Sequence, residues 1–316
     1  MSFSPPSTPL LLSVSVREGK TVVVTGASDG IGRAAVHALA KAGASVVMVG
    51  RNEAKTAAAA RAIMSDTGSR TVAWEIADLS RQDAVHDLAH RLRQRLDRID
   101  VLVNNAGAVF LRREVTAEGL ERTFALNHLA YFTLTLLLLD RLAIAATPGQ
   151  PARVLCVASR AHRDADMGLD DVPHLQTYAG WPAYANSKLA NLLFTRALAA
   201  RLDPEKIVVQ AMHPGVVSTR FGVNNGRRGR LMRRVMDVVA ISPETGADTL
   251  VWLAIDDEAR HTTGQYWVKR ARTEPSTAAL DTALAESLWT YSASLAHLDT
   301  DSLIAAADAR RVVVGS

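Results

Sequence analysis

Tyr184 and Lys188 lie four residues apart in the run Tyr184-Ala185-Asn186-Ser187-Lys188. On a helix that spacing stacks both side chains on one face. A free tyrosine titrates near pH 10 and is a poor acid or base at neutral pH. A neighbouring ammonium favours the phenolate and lowers that value. A lowering of about three units needs roughly 4 kcal/mol of differential stabilisation. The pair is therefore a candidate for exchanging a proton with an alcohol or carbonyl near pH 7. Tyr178 is a competing tyrosine, but no lysine follows it at the same spacing. Chance alone often produces the Tyr/Lys spacing, so the elements around it decide its meaning.

Three segments supply those elements. Lys20 to Thr25 reads as a short β-branched strand, and Gly26-Ala27-Ser28-Asp29-Gly30-Ile31-Gly32 follows, then a helical stretch from Arg33 to Ala42. A strand, a glycine-rich turn and a helix start form a phosphate cradle: glycines admit close backbone approach, and the helix end offers free N–H groups. The spacing is Gly-x-x-x-Gly-x-Gly rather than the more familiar Gly-x-Gly-x-x-Gly. Asn104-Asn105-Ala106-Gly107 comes directly after the strand Asp100 to Val103, and Ser159 after the strand Arg153 to Ala158. In a parallel sheet such positions lie at the carboxyl ends of strands, where ligands bind.

Together these residues resemble the short-chain dehydrogenase/reductase family. The likeness spans about residues 18 to 298, with Thr25-Gly26 to Gly32, Asn104 to Gly107, Ser159, Tyr184 to Lys188 and Pro214-Gly215 in the family's order. Within it the chain is most similar to the retinol-dehydrogenase-like group. That likeness is carried by Tyr184-x-x-Ser187-Lys188-Leu189-Ala190-Asn191-x-Leu193-Phe194-Thr195-Arg196, Gly264-Gln265-Tyr266, Pro275-Ser276 and Leu288-Trp289, and by the long segment from Arg160 to Ala183. The resemblance implies an NADP(H)-dependent alcohol/carbonyl oxidoreductase. Tyr184 would be the general acid or base, Ser159 would hold the substrate oxygen, and Lys188 would tune the tyrosine and bind the nicotinamide ribose. Asn127 would order a relay water. It further implies cofactor contacts at Gly26, Ser28, Asp29, Gly30, Ile31, Gly32, Arg51, Asn52, Asp78, Leu79, Asn105, Ala106, Gly107, Tyr184, Lys188, Pro214, Gly215, Val217 and Thr219. Physics alone is less specific: an isolated helical asparagine is more often a packing residue than a catalytic one, and Asp78 equally suits the cap region of the next helix.

An acidic residue after the second strand normally binds the ribose 2′-hydroxyl of NAD, while a nearby arginine accommodates the 2′-phosphate of NADP. Here the strand Ser45 to Val49 ends in Gly50-Arg51-Asn52, with Arg33 opening the first helix. This favours NADP(H). Asp29 departs from the pattern, since NADP users of this family often carry a basic residue there, and it keeps NAD(H) use open.

The remaining sequence reads as one α/β domain, residues 18–300: a single doubly wound, Rossmann-type parallel sheet with helices on both faces. Strand-like runs occur at 21–25, 45–49, 71–76, 100–103, 152–158, 206–212 and 264–268, almost wholly apolar as sheets covered on both faces require. Residues 1–17 read as a loose extension and 301–316 as a tail; Leu10 to Val16 is too short and polar for a membrane span or signal core. The run Leu134 to Leu139, ended by Asp140 and Arg141, reads as a buried helix. The single cysteine, Cys156, excludes an intrachain disulfide and sits in a predicted core strand. The expected location is cytoplasmic. His86 and His90 lie four apart without an evident third ligand, so no metal is expected. The net charge of +4 is modest and does not call for a nucleic-acid partner.

His213-Pro214-Gly215 resembles the start of the family's substrate loop, here 216–241. Leu231, Met232, Val235, Met236 and Val239 recur at helical spacing there, interleaved with Arg227, Arg228, Arg230, Arg233 and Arg234. The apolar stripe suits a small hydrophobic alcohol or carbonyl; the arginines suit an acidic substrate, a membrane surface or simply solvent. Membrane association is not expected. A homodimer through the long helices 116–143 and 183–202 is. Two other classes remain open: a non-catalytic NADP-sensing regulator on this fold, and an enzyme that uses its nicotinamide transiently.

Overall fold

The computed structural model describes residues 19–167, 178–215 and 241–309. The extension 1–17, the predicted lid helix and the loop residues Val217 and Thr219 lie outside the described residues. The described strands form one sheet in the order β3-β2-β1-β4-β5-β6-β7-β8. These are β1 (Thr21–Thr25), β2 (Ser45–Gly50), β3 (Val72–Ile76), β4 (Val101–Asn104), β5 (Ala152–Val157), β6 (Ile207–His213), β7 (Gln265–Val268) and β8 (Ala271–Arg272). Pairing is parallel from β3 to β7, with Val22 opposite both Val46 and Val101. The strand order reverses between β1 and β4, which makes the crevice above their carboxyl ends the expected ligand site.

Side chains alternate between two cores. Val23, Val47, Leu102, Val154, Cys156 and Val209 face one; Val22, Val24, Val46, Val103, Leu155 and Val157 face the other. Both faces are covered, so the strands are apolar throughout. The second face carries α1 (Gly30–Lys41), α2 (Glu53–Thr67) and α8 (Pro243–Ile255). The first carries α3 (Gln82–Arg95), α4 (Arg122–Phe124), α5 (Ala130–Leu137), α6 (Leu139–Ala145), α7 (Gly180–Ala199), α9 (Thr282–Ala296) and α10 (Thr300–Asp308).

Three expectations are corrected. The first concerns an eighth strand absent from the sequence reading, which pairs antiparallel with β7. Its two-residue turn places Lys269 and Arg270 at φ 52° and 61°, where Asn-Gly is the usual signal. Arg270 is held there by Asp248 and by Thr249 Oγ1, which accepts its N–H at 3.1 Å. Tertiary contacts replace turn propensity, so local sequence does not reveal the hairpin.

The second concerns the helix read as 116–143. It is a helical turn, a π-helical turn (Ala125–Leu129) and two helices that meet at Leu138 with a 58° bend. Among the described residues no single helix is long and apolar enough to cross a membrane.

The third concerns the expected tail, of which residues 300–308 form α10 and pack on α6 with Ala307 buried. With α9, this helix covers the long helices that were expected to face a second copy. Trp289 of α9 stacks on Phe194 of α7 at 6.2 Å and edge-on to Phe132 of α5 at 5.0 Å.

Candidate active site

The glycine turn is shaped by sterics. Gly26 and Gly30 adopt φ of 64° and 52°, which L side chains rarely tolerate. A Cβ on Gly26 would lie 2.7 Å from Ala106 Cα, and one on Gly32 would lie 2.5 Å from Gly26 O and 2.6 Å from Asn105 Nδ2. The turn is thus folded onto the Asn104–Gly107 loop. Thr25 Oγ1 accepts the backbone N–H groups of Asn105 (2.9 Å) and Ala106 (3.1 Å), while Asn105 Nδ2 donates to Thr25 O at 2.8 Å. The Asn105 side chain braces the turn; Tyr131, not foreseen from sequence, donates its hydroxyl to Ala106 O at 2.8 Å from the other side. Asp29 caps α1 through Gly30 N (2.9 Å). The turn is preformed and leads directly into a helix start, an arrangement that accepts a pyrophosphate.

Farther along the same edge the second cluster is buried except at Ser159, which is half-buried. Asn127 sits in the π-helical turn, where the altered register frees groups a regular helix would use. Its Oδ1 accepts Ala108 N at 2.9 Å; its Nδ2 donates to Ala108 O at 2.9 Å and to Ser187 Oγ at 3.0 Å. Asn191 Nδ2 donates to Asn127 O at 2.9 Å. Lys188 Nζ donates to Val157 O at 2.9 Å and lies 5.7 Å from the ring centroids of both Tyr131 and Tyr184. Ser159 caps the 3₁₀ turn Arg160–Asp164 after β5, its Oγ accepting Ala161 N at 3.2 Å, and its side chain bears on the titration of Tyr184. One edge of the sheet therefore brings together Asn127, Ser159, Tyr184 and Lys188. Tyr178 is turned away: its hydroxyl donates to Phe110 O at 2.6 Å and meets Thr123 Oγ1 at 3.0 Å.

The electrostatics differ from the expectation. Burial pushes the Tyr184 phenol up to about 12, against a downward pull from the Ser159 hydrogen bond. Burial lowers Lys188 to about 8. The ammonium lies against the tyrosine ring and bonds a strand carbonyl, so desolvation outweighs its pull on the hydroxyl. The pair holds Tyr184 as a phenol at neutral pH, able to donate a proton.

Sequence reasoning missed the residues that fix this edge from the C-terminal side. Ser276 N donates to His162 Nε2 at 3.1 Å, which places the ring proton on Nδ1, and Nδ1 then donates to Ser159 O at 2.6 Å. Tyr266 packs edge-on to His162 at 5.2 Å. The Tyr266 and Ser276 positions thus act through the Ser159 loop, a link only tertiary structure reveals. His213, at the end of β6, is lowered to about 4, chiefly by burial.

At the mouth of the site Trp181 is 45% exposed and Leu111 37%. A Cβ on Gly180 would lie 2.7 Å from Leu111 Cα, so this glycine lets the two segments touch. The Trp181 ring lies 5.7 Å from that of Tyr184.

The other predicted contacts are dispersed. Ser28 and Ile31 are half-buried in the glycine turn, Arg51 and Asn52 are exposed after β2, and Asn52 Oδ1 caps α2 through Lys55 N at 2.9 Å. Asp78 Oδ1 accepts Ser80 N at 3.1 Å in the turn before α3, and the Leu79 side chain is in the core. Pro214 and Gly215 follow β6, Gly215 at φ 90° with Ile241 against it. Cys156 is buried, its thiol raised to about 11. His86 Nε2 is 3.2 Å from Ala296 O, and among the described residues no three His, Cys, Asp or Glu side chains cluster as metal ligands.

The model of the family described as short chain dehydrogenase matches residues 20–228. The chain belongs to the short-chain dehydrogenase family. Retinol dehydrogenase 13 of Homo sapiens is 34% identical over 291 residues, 90% of this chain and 87% of that one. A Streptomyces sp. (strain C5) protein provisionally designated a daunorubicin C-13 ketoreductase is 38% identical over 279 residues, 87% of this chain and 92% of its own. Among solved structures, the Pseudomonas aeruginosa RhlG/NADP active-site complex has a TM-score of 0.64 at 28% identity, covering 80% of this chain and 96% of that one. This short-chain dehydrogenase is an oxidoreductase acting on CH–OH or C=O groups, similar to the retinol dehydrogenases.

Proposed function

We propose that this short-chain dehydrogenase interconverts a hydrophobic alcohol and its carbonyl using NADP(H), with Tyr184 as the acid/base. The observation that carries the reading is the buried Tyr184 side chain, with the Lys188 ammonium 5.7 Å from its ring centroid and the Ser159 side chain, at the end of β5, acting on its titration. The cradle Gly26–Gly32 and the loop Asn104–Gly107 would hold the dinucleotide, and Lys188 the nicotinamide ribose. The nicotinamide, when bound, supplies or accepts the hydride. In reduction, Ser159 Oγ holds the substrate oxygen by a hydrogen bond and Tyr184 Oη gives it a proton. Lys188 steadies the phenolate that remains, and Asn127 fixes Ser187 beside Tyr184. In oxidation the proton returns along the same contacts.

Exposed Arg51 after β2 supports the NADP(H) preference. The apolar pair Trp181 and Leu111 beside Tyr184 supports the hydrophobic substrate, as do the names of the retinol and daunorubicin relatives.

The test is NADPH oxidation in the presence of hydrophobic aldehydes and ketones, with Tyr184→Phe as the comparison. The variant should bind NADPH as tightly as the unaltered protein while turnover falls by about 10²–10⁴. Near-normal turnover in Tyr184→Phe would eliminate the acid/base role. NADPH binding without turnover on any carbonyl would favour the regulatory reading.

A further inference from the structure

The turn that follows Ser159 is tied to the C-terminal part of the fold through one side chain. His162 lies in the 3₁₀ turn Arg160–Asp164 and is fully buried. Its own backbone N–H donates to Ser159 O at 3.1 Å, and its ring Nδ1 is 2.6 Å from the same oxygen. Its Nε2 is 3.1 Å from the backbone N of Ser276, in the segment after β8. A backbone N–H can only donate, so Nε2 is the bare nitrogen and Nδ1 the protonated one. Ser159 O therefore receives two hydrogen bonds from one residue. They fix the backbone from which the Ser159 side chain projects, while Ser159 Oγ accepts Ala161 N at 3.2 Å.

The clamp needs the neutral ring. An imidazolium carries a proton on each nitrogen, so protonation would set an N–H against the Ser276 N–H inside the protein. The surroundings also oppose that charge. Arg160 and Arg163 stand on the same turn, with Asp164 as its one carboxylate. A charge on the ring would bear on His213 at the end of β6. Tyr266 of β7 packs edge-on to the ring at 5.2 Å, and α7 meets the turn where Ala161 joins Tyr184 and Ala185 in one small core. On the Ser276 side stands exposed Glu274, whose backbone oxygen accepts Arg163 Nη2 at 2.5 Å. Burial is the largest influence and holds His162 below its ordinary 6.5; the Ser159 bond pulls it upward, Arg163 downward and Asp164 upward.

We propose that His162 is a positioning residue for the reaction: its neutral imidazole, clamped between Ser276 N and Ser159 O, fixes the hydroxyl that holds the substrate oxygen. The bond from Ser276 sets the tautomer, and the bond to Ser159 uses it. Because the ring works only when neutral, kcat falls on acidification with a midpoint below 6.5. The inference rests on the reading of Ser159 as the residue that holds the substrate oxygen, and the test separates the two.

Reduction of the hydrophobic carbonyl that the unaltered protein turns over fastest is followed at saturating NADPH from about pH 5 to 8, for the unaltered protein, Ser159→Ala, His162→Phe, His162→Asn and Ser276→Pro. Phenylalanine keeps the ring shape and neither bond; asparagine keeps an N–H for Ser159 O and has nothing to titrate. His162→Phe should lower kcat by about tenfold or more and leave NADPH affinity within about threefold, since the phosphate cradle is untouched. His162→Asn should recover most of that loss and show no fall in kcat on acidification. Ser276→Pro removes the N–H donor at a φ of −71°, which proline accepts. Nε2 is then free to take a proton, so the acid midpoint should move up by about half a unit or more. Imidazole 15N NMR of the unaltered protein, assigned by the signal lost in His162→Asn, should show Nδ1 protonated and Nε2 bare at neutral pH. A normal kcat in Ser159→Ala would overturn the reading of Ser159 and this inference with it. An inactive Ser159→Ala beside an unaffected His162→Phe, an acid limb that survives in His162→Asn, or a ring protonated at Nε2 would overturn this inference alone.

Discussion

The two halves of the crevice are built in opposite ways. On the β1–β3 side, the turn Gly26–Gly32 is shaped by what it lacks: side chains that would strike Ala106 or Gly26 itself. Its charged groups, Asp29, Arg51 and Lys55, are at least partly exposed. On the β5–β6 side Asn127, Tyr184 and Lys188 are buried and Ser159 is half-buried, and they are held mostly by residues on other elements: Asn127 by Ala108 and Ser187, Lys188 by Val157, Ser159 through His162 and Ser276. The first half is a steric mould that local sequence specifies. The second is a network in which buried titratable groups are costly and are positioned by tertiary contacts. The difference predicts that damage to the mould appears first in binding, and damage to the network first in chemistry and in the pH dependence of stability.

Gly32→Ala breaks the mould most directly. The new Cβ would lie 2.5 Å from Gly26 O and 2.6 Å from Asn105 Nδ2, so backbone must move in the turn that faces the phosphates. Overpacking of this kind costs about 1–3 kcal/mol of stability, and dinucleotide affinity should fall by about 100-fold, equally for NADPH and NADH, since the pyrophosphate is common to both. Titration of both cofactors checks it; unchanged affinity would mean the turn does not cradle the phosphates.

Lys188→Met tests the network through stability. Lys188 titrates near 8 in the fold against 10.5 unfolded. Between those values the unfolded chain holds a proton the folded chain has lost, so this group makes stability rise with pH from about 8 to 10.5. At pH 7 the buried ammonium costs on the order of 3 kcal/mol. Replacing it by methionine also removes the bond to Val157 O, worth about 1 kcal/mol. The net expectation is a variant more stable by about 2 kcal/mol at pH 7 and nearly inactive, with the stability gain shrinking by pH 9.5. Tyr184 acts oppositely above pH 10: raised to about 12 from 10.0, it keeps its proton longer in the fold, so its contribution is lost as pH climbs through that window. Urea unfolding at pH 7 and 9.5 reads the difference between variant and parent; a destabilised Lys188→Met at pH 7 would mean the ammonium is better solvated than its burial implies.

The contrast also explains what the sequence made legible. The strand periodicity, the glycine turn and the pair Tyr184/Lys188 are local patterns, and the structure places them at one edge of one sheet. The β8 hairpin was invisible because Lys269 and Arg270 take positive φ through contacts with Asp248 and Thr249, not through their own propensity. The break at Leu138 lies inside an apolar run with no glycine or proline to mark it. The direction of the tyrosine shift was misjudged because spacing reports proximity but not burial: the lysine is near enough to matter, yet desolvation of both groups dominates.

Trp181 lies at the rim of the network half, and its removal should sharpen the comparison with the smallest effect. It is large, apolar and exposed, its ring 5.7 Å from the Tyr184 ring and its Nε1 donating to Asp164 Oδ2 at 3.3 Å. An indole held in this way offers a flat apolar surface next to the proton donor. Trp181→Ala should raise KM for a hydrophobic carbonyl by about tenfold, as losing one to two kcal/mol of uniform apolar contact would. It should leave kcat within about threefold and cofactor affinity unchanged, because the contact is the same in ground and transition states. A hydrophilic carbonyl of the same chain length should show no KM change. A fall in kcat with KM constant would instead place Trp181 within the network, as a support for the Tyr184 ring.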